Sequence, residues 1–238
     1  MRCQALRNVP DKKLKEAIQD VVSECQVCAN NTENLTGGPS PLCSKCSILS
    51  KAFTRYADSN IPVKYWKLEM LKDFKGDNNL LIKYNELIKD IKQTYNNGPC
   101  ICFAGQFGVG KTMVCTNVLK RAVEKGYSAL YTTLTDIISI ATSLSRYDAR
   151  NELLSVDFLV IDEFDPRYMP TDNASDFFGR VLEDIFRTRS QNSLPLFMCT
   201  NSPNVTESFS GSIKQSLSSL MNQVETVIVF GKDYRTIK

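Results

Sequence analysis

The sequence contains no histidine. That removes the commonest general base near neutral pH, the Ser-His-Asp and Cys-His arrangements, and every His-ligated metal site. Acid–base or metal chemistry must rest on cysteines, carboxylates and lysines. Long apolar runs are missing too. The longest, FLVI at 158–161 and VIVF at 227–230, fall far short of the roughly 20 residues of a membrane span. The opening stretch, MRCQALRNVPDKKLKEAIQD, lacks the apolar centre of a signal peptide. A soluble, cytoplasmic protein with no membrane partner is expected. A large net charge is absent as well. Lys and Arg total 29 against 26 Asp and Glu, which excludes a bulk polycation coating nucleic acid. The imbalance is local: residues 1–99 carry 15 basic and 11 acidic groups, residues 100–238 carry 14 and 15.

What is present is enough for a core, since 42% of the 238 residues are hydrophobic. Nine cysteines, an odd number, in an intracellular chain read as thiols or metal ligands rather than a disulfide framework. Leu14, Ile18 and Val21 or Val22 recur at helical spacing, so residues 11–23 should form a short amphipathic helix. Residues 24–48, with four cysteines, Gly37-Gly38 and two prolines, read as a small loop-rich unit. A helix is expected at 79–94, stopped by Asn96-Asn97-Gly98-Pro99. From Pro99 onward strands and helices alternate. Strands are expected at 100–104, 128–132, 157–162, 194–200 and 224–230, with helices at 111–124, 134–145, 174–188 and 211–222 between them. Five buried strands alternating with helices predict a parallel α/β sheet.

Three segments of this alternating region carry chemistry. Residues 105–112, Gly105-Gln106-Phe107-Gly108-Val109-Gly110-Lys111-Thr112, fit G-x-x-x-x-G-K-[ST] between a strand and a helix. The glycines let backbone N–H groups turn onto phosphate oxygens, and the helix N-terminus adds partial positive charge. Lys111 would reach the β- and γ-phosphates of ATP, Thr112 would ligate Mg²⁺, and Met113 follows in the same turn. The strand FLVID ends in Asp162-Glu163. Asp162 would hold Mg²⁺ through water, and Glu163 would polarise the attacking water, which favours hydrolysis over mere binding. The strand at 194–200 ends in Thr200-Asn201, an amide that can sense the γ-phosphate or the attacking water.

Cys25-x2-Cys28 and Cys43-x2-Cys46, 14 residues apart, are two knuckles offering four thiolates to a tetrahedral, structural Zn²⁺. Cys100, Cys102, Cys115 and Cys199 fall in expected strands or the core helix and read as small buried residues.

Phosphate loop, Asp-Glu strand end and Asn-ended strand, in that order and without inserted domains, resemble an AAA+ ATPase. More narrowly, the chain resembles the DnaC/DnaI-type replicative helicase loaders and their relative IstB, a transposition helper ATPase. The segment Ser59 to Trp66 (SNIPVKYW), the loop GQFGVGKT, the strand LVIDEFD, CTN at 199–201 and the terminal VFGKDYR carry the resemblance. It implies an N-terminal zinc module that grips a hexameric helicase, a sensor role for Asn201, and a γ-phosphate contact for Arg235. It also implies that Ile61 and Tyr65 border the adenine pocket. Single-stranded DNA would be held by the stretch at 133–153, with Arg146, Tyr147 and Arg150 as candidates. The family's arginine acting in trans on a neighbouring subunit has no match in IKQSLSSLMNQ, which offers only Lys214, with Ser219 where the arginine is expected. Arg187 or Arg189 would substitute in any ATP-dependent self-assembly.

The expected architecture is thus a P-loop AAA+ core with a five-stranded parallel sheet, no separate C-terminal lid domain, and a small zinc-binding module in front. Residues 1–50 would dock the partner, 51–98 border the nucleotide, and 99–238 form the ATPase core. The alternatives are an IstB-like ATPase assembling on duplex DNA, a P-loop kinase, which would need an acceptor pocket and an arginine-rich lid, and a zinc-ribbon DNA-binding protein with a degenerate ATPase.

Overall fold

The alternation of side chains along three buried strands sets the architecture. In the computed structural model, which describes residues 8–30, 41–142, 147–168, 174–202, 214, 218, 221, 224–231 and 233, these are β1 (Cys100–Gly105), β3 (Phe158–Asp162) and β4 (Leu196–Thr200). Ile101, Phe103, Phe158, Val160, Phe197 and Cys199 point into one apolar cluster, while Cys102, Leu159, Ile161, Leu196 and Met198 point into another. A strand with apolar residues on both faces has to be covered on both sides. With β2 (Ala129–Thr133) and β5 (Glu225–Val229) the sheet has the order β2-β3-β4-β1-β5, every pair parallel.

Helices supply the two covers. The first face takes α4 (Asn78–Lys89) and α6 (Lys111–Glu124), whose Val114, Val118, Leu119 and Ala122 are fully buried. The second takes α7 (Leu134–Thr142), α8 (Tyr147–Ser155) and α9 (Ala174–Gln191), through Ile137, Leu153, Leu182 and Ile185. Each buried Leu or Ile contributes about 2 kcal/mol. The helix expected at 211–222 lies largely outside the described residues; Lys214, Ser218 and Met221 within it are helical. No helix among the described residues is long and apolar enough to cross a membrane.

Ahead of the sheet the structure departs from the sequence expectation in two places. The helix expected at 79–94 is two helices, α4 and α5 (Ile91–Asn97), broken at Asp90. Asp90 leaves the helical region (φ −144°, ψ 96°), and its carboxylate accepts the Gln93 N–H at 3.0 Å. An N-cap has replaced helix continuity. The second departure concerns the cysteine unit. The amphipathic helix α1 (Asp11–Ser23) forms as expected, but the second knuckle is not all loop. Cys43 precedes α2 (Ser44–Asp58) and Cys46 sits in its first turn. This helix runs unbroken past residue 50 and buries Phe53, Tyr56 and Ala57 in the main core. Leu14, Ala17, Ile18 and Val21 of α1 pack there too. The short helical turn α3 (Met70–Asp73) precedes α4.

Candidate functional site

The carboxyl ends of β1, β3 and β4 open on one cavity of about 450 Å³, the size of a small-molecule site and the place where open parallel sheets take ligands. Phe107, Gly108, Gly110, Lys111, Thr112 and Met113 line it; Gly105, Gln106 and Val109 form the loop behind, with Val109 fully buried. Gly110 has φ +102° and Gly108 φ +75°, left-handed values that side chains resist. A Cβ on Gly110 would lie 2.5 Å from the Phe74 ring, and one on Gly108 would strike the Asp233 carboxylate. The loop is therefore held from both sides by chain that only glycine can admit. Lys111 is buried. Its ammonium donates to Gly105 O and Gln106 O, both at 2.7 Å, and to Asn201 Oδ1 at 3.1 Å. The two motifs expected to share a phosphate, 90 residues apart, are in contact.

At the end of β3, Asp162 is almost wholly buried and holds two donors: the Glu163 N–H on Oδ1 at 2.8 Å and the Tyr131 hydroxyl on Oδ2 at 2.7 Å. Glu163 has φ +52°, a strained value for a residue with a Cβ that costs about 1 kcal/mol. This kink ends the strand and leaves the Glu163 side chain exposed on the cavity wall. Phe164 then drops back into the core, with its N–H on Cys199 O at 2.8 Å. Beyond it Arg167 grips Asp165 through two hydrogen bonds of 2.9 and 2.7 Å and lies 6.0 Å from the centre of the Phe107 ring. The guanidinium holds the Asp165 carboxyl below the usual carboxylate range.

The outer wall comes from the segment before β1. Pro62, Lys64, Tyr65, Asp73 and Lys75 line the cavity. Ile61 does not: it is fully buried, and its carbonyl accepts the Trp66 indole N–H at 2.8 Å. Ile61, expected with Tyr65 to border an adenine pocket, thus sits behind the lining, where its carbonyl holds the turn presenting Tyr65. Lys120 of α6 does similar work unforeseen in the sequence. Its buried ammonium donates to Tyr65 O and Leu68 O at 3.2 and 2.6 Å, and burial pulls its pKa down to about 8. Further along, Asp77 N–H reaches Val109 O at 3.2 Å. No motif marks Phe74, Asp77, Lys120 or Tyr131; each acquires its place through tertiary contact alone.

The four knuckle cysteines converge, with all four Sγ atoms within 4.8 Å of one another. Cys25 and Cys43 Sγ lie 3.7 Å apart, against the roughly 3.8 Å edge of a tetrahedron with Zn–S bonds of about 2.3 Å. The Cys43 N–H points at Cys28 Sγ at 3.4 Å. Backbone N–H groups of Cys28 and Val27 lower the Cys25 thiol to about 6, whereas burial pushes Cys46 up. The set fits a four-thiolate metal ion: the spacing is right, and Val22 and the buried Cys28 and Cys46 close its inner side.

The arginines separate sharply. Arg187 is exposed and paired with Glu183 one turn earlier. Arg189 is corrected from a trans candidate to a structural cation. It is fully buried, and its guanidinium donates to Leu153 O, Asp157 O and Pro195 O at 3.1, 3.2 and 2.7 Å. It thereby ties α8, β3 and β4 together at the sheet end opposite the cavity. Arg189→Met should take the guanidinium donors from the Leu153 and Asp157 carbonyls, while Pro195 O keeps the Leu159 N–H at 3.2 Å, and cost about 3 kcal/mol, lowering the melting temperature by about 6–12 °C. A thermal melt checks this, and an unchanged melt would return Arg189 to the trans candidates. Arg150 is exposed on α8 and pairs with Asp184 at 2.7 Å. Arg146, the Tyr147 side chain, Ser219 and Arg235 lie outside the described residues.

The sequence matches no protein-family model and no curated protein. The fold does match solved structures. The crystal structure of DnaI superposes with a TM-score of 0.59 at 15% identity, over 74% of this chain and 94% of that one. The crystal structure of the DnaC helicase loader superposes at 0.54 and 17%, over 70% and 98%. AMPPCP-bound DnaA from Aquifex aeolicus gives 0.54 and 18%, over 68% of this chain and half of its own length. The chain therefore shares its fold with the DnaI, DnaC helicase loader and DnaA structures, a five-stranded parallel sheet covered by helices on both faces, with a four-cysteine cluster ahead of it.

Proposed function

We propose that this chain is an ATP-dependent loader that binds a replicative hexameric DNA helicase in the cytoplasm and delivers it to single-stranded DNA. The observation that carries this reading is the meeting of Lys111 with Asn201 beside Asp162 and the exposed Glu163, around one cavity, in a chain whose four-cysteine cluster shares a helix with the same core. In this reading Lys111 would meet the β- and γ-phosphates of ATP, and Thr112 and Asp162 would hold a Mg²⁺ ion, whose charge would offset that of the phosphates when bound. Glu163 orients the attacking water. Asn201 and Arg235 report the γ-phosphate, and Tyr65 borders the base. Residues 1–50 form the docking face around a structural Zn²⁺, 51–98 the wall of the nucleotide site, and 99–238 the ATPase core. Arg146, Tyr147 and Arg150 meet single-stranded DNA, by stacking and phosphate contact. Arg187 is the remaining candidate for a trans contact.

Such a switch needs ATP to favour the partner-bound state and hydrolysis to release it. Mixing the chain with the replicative helicase of its source organism, followed by size-resolved chromatography, should give co-migration with ATP and dissociation with ADP. Glu163→Gln should hydrolyse ATP about 100-fold more slowly and hold the complex together after ATP is added. Wild-type hydrolysis by Glu163→Gln would remove that residue from the mechanism. No complex under any nucleotide, with ATP-dependent binding to duplex DNA instead, would replace the loader with the IstB-like reading.

A further inference from the structure

One side chain touches the metal-binding end of the site without belonging to any motif. We propose that Tyr131 is a positioning residue: its phenol holds Asp162 in the orientation from which the carboxylate meets a divalent cation on the bound nucleotide. The inference rests on the nucleotide-site reading above.

The register explains the contact. Tyr131 pairs with Val160, and Thr133 with Asp162. Val160 and Asp162 are two residues apart on one strand and share a face. Tyr131 therefore lies one step back from Asp162 along the neighbouring strand, and a phenol is long enough to cover the diagonal. Its hydroxyl reaches Asp162 Oδ2 at 2.7 Å, while Oδ1 takes the Glu163 N–H. A carboxylate offers about four lone-pair sites, so one donor on each oxygen pins the group while leaving acceptor capacity on both. With the backbone donor alone, the broad, two-fold torsion about the last side-chain bond would no longer be fixed.

Tyr131 is itself anchored from the other side. Its N–H donates to Ser59 O at 2.9 Å, and its carbonyl accepts Asn60 Nδ2 at 3.1 Å, so the chain leaving α2 clamps the outer edge of β2 at this one residue. The ring also lines the cavity, so the hydrogen bond sits at the site and not in the core behind it.

A tyrosine that merely fills space would be indifferent to the metal. The test is a titration of the full chain with Mg²⁺, reading the affinity for a fluorescent ATP analogue. Tyr131→Phe keeps the ring and removes only the hydroxyl. It should raise the Mg²⁺ concentration needed for half of the metal-dependent gain in affinity about tenfold, the size expected for one hydrogen bond to a charged group. Affinity in chelator should not change. In an Asp162→Asn background the same substitution should shift the curve less than about twofold, because the partner that it orients has lost its charge. Superimposable Mg²⁺ curves for wild type and Tyr131→Phe would overturn the proposal. So would equal shifts in both backgrounds, which would mark a general loosening of β2. A wild-type chain whose ATP affinity ignores Mg²⁺ would instead overturn the nucleotide-site reading itself, and the role of Tyr131 with it.

Discussion

Lys111→Ala should weaken ATP binding by about 100-fold or more. Lys111 is 7% exposed, and its ammonium is aimed by two main-chain carbonyls and the Asn201 amide oxygen. These contacts fix its position at the mouth of the phosphate loop. A triphosphate would meet it there with formal negative charge, and charge-assisted hydrogen bonds in a partly dry site are worth about 1.5–3 kcal/mol each. Two such bonds lost correspond to about two orders of magnitude or more in Kd. The truncation also takes a donor from Asn201 and two carbonyls, so a modest fall in melting temperature should accompany it. Lys111→Met tests the difference, because it refills most of the volume and still removes the charge. Calorimetric titration with ATP on both variants checks the prediction. Wild-type affinity in Lys111→Met would mean that phosphates are not bound by this loop.

Much of this site is legible along the chain because its parts are local. A phosphate loop has to be contiguous, since the backbone N–H groups of successive residues form the cradle. Each CxxC knuckle is local by necessity, since two ligands on one turn have to meet the same ion, and here the two knuckles stand only 14 residues apart. The five strands are legible because each is apolar on both faces or bounded by turn residues. What is not legible depends on register and on chain brought from afar. An aromatic residue in a strand reads as core, and only the pairing of β2 with β3 sets Tyr131 beside Asp162. Arg189 at a helix end reads as a solvated charge until carbonyls of α8 and of the residues leading into β3 and β4 close around it. The break at Asp90 is an instructive middle case. Asp90 and Gln93 stand at N-cap and N3 spacing, a local signal for a new helix, but Leu87, Ile88 and Ile91 continue the helical apolar spacing across the break and mask it.

Removing the metal from the four-cysteine cluster should have the largest effect on stability, and it should separate docking from catalysis where a truncation cannot. Cutting at residue 50 looks like a clean division in the sequence, yet it would sever α2 and uncover Phe53 and Tyr56, buried to 2% and 4% exposure, while removing α1 and its contacts with the core. Loss of nucleotide binding in that fragment would report a damaged core, not a docking role. Cys28→Ser with Cys46→Ser takes away the two buried thiols of the cluster and leaves every residue lining the cavity in place. Zinc sites of this kind contribute about 10–16 kcal/mol of apparent binding free energy in small peptides. Here the sheet has its own core, so the loss should appear as local unravelling of the first turns of α2. The melting temperature should drop by more than about 10 °C, with ATP affinity below the transition retained within about threefold. Elemental analysis of the wild-type chain should find one zinc per protomer, and helicase capture should disappear in the double variant while ATP binding survives. A wild-type chain that purifies without zinc, and melts identically with and without chelator, would end the metal assignment. Capture that persists in the double variant would move the docking face off the cysteine unit. The geometry makes these outcomes separable because α2 begins at the second knuckle, with Cys43 as its N-cap and Cys46 in its first turn, and carries Tyr56, packed against Trp66, near its other end, so that a disturbance at the cluster fades along the helix before it reaches the wall of the cavity.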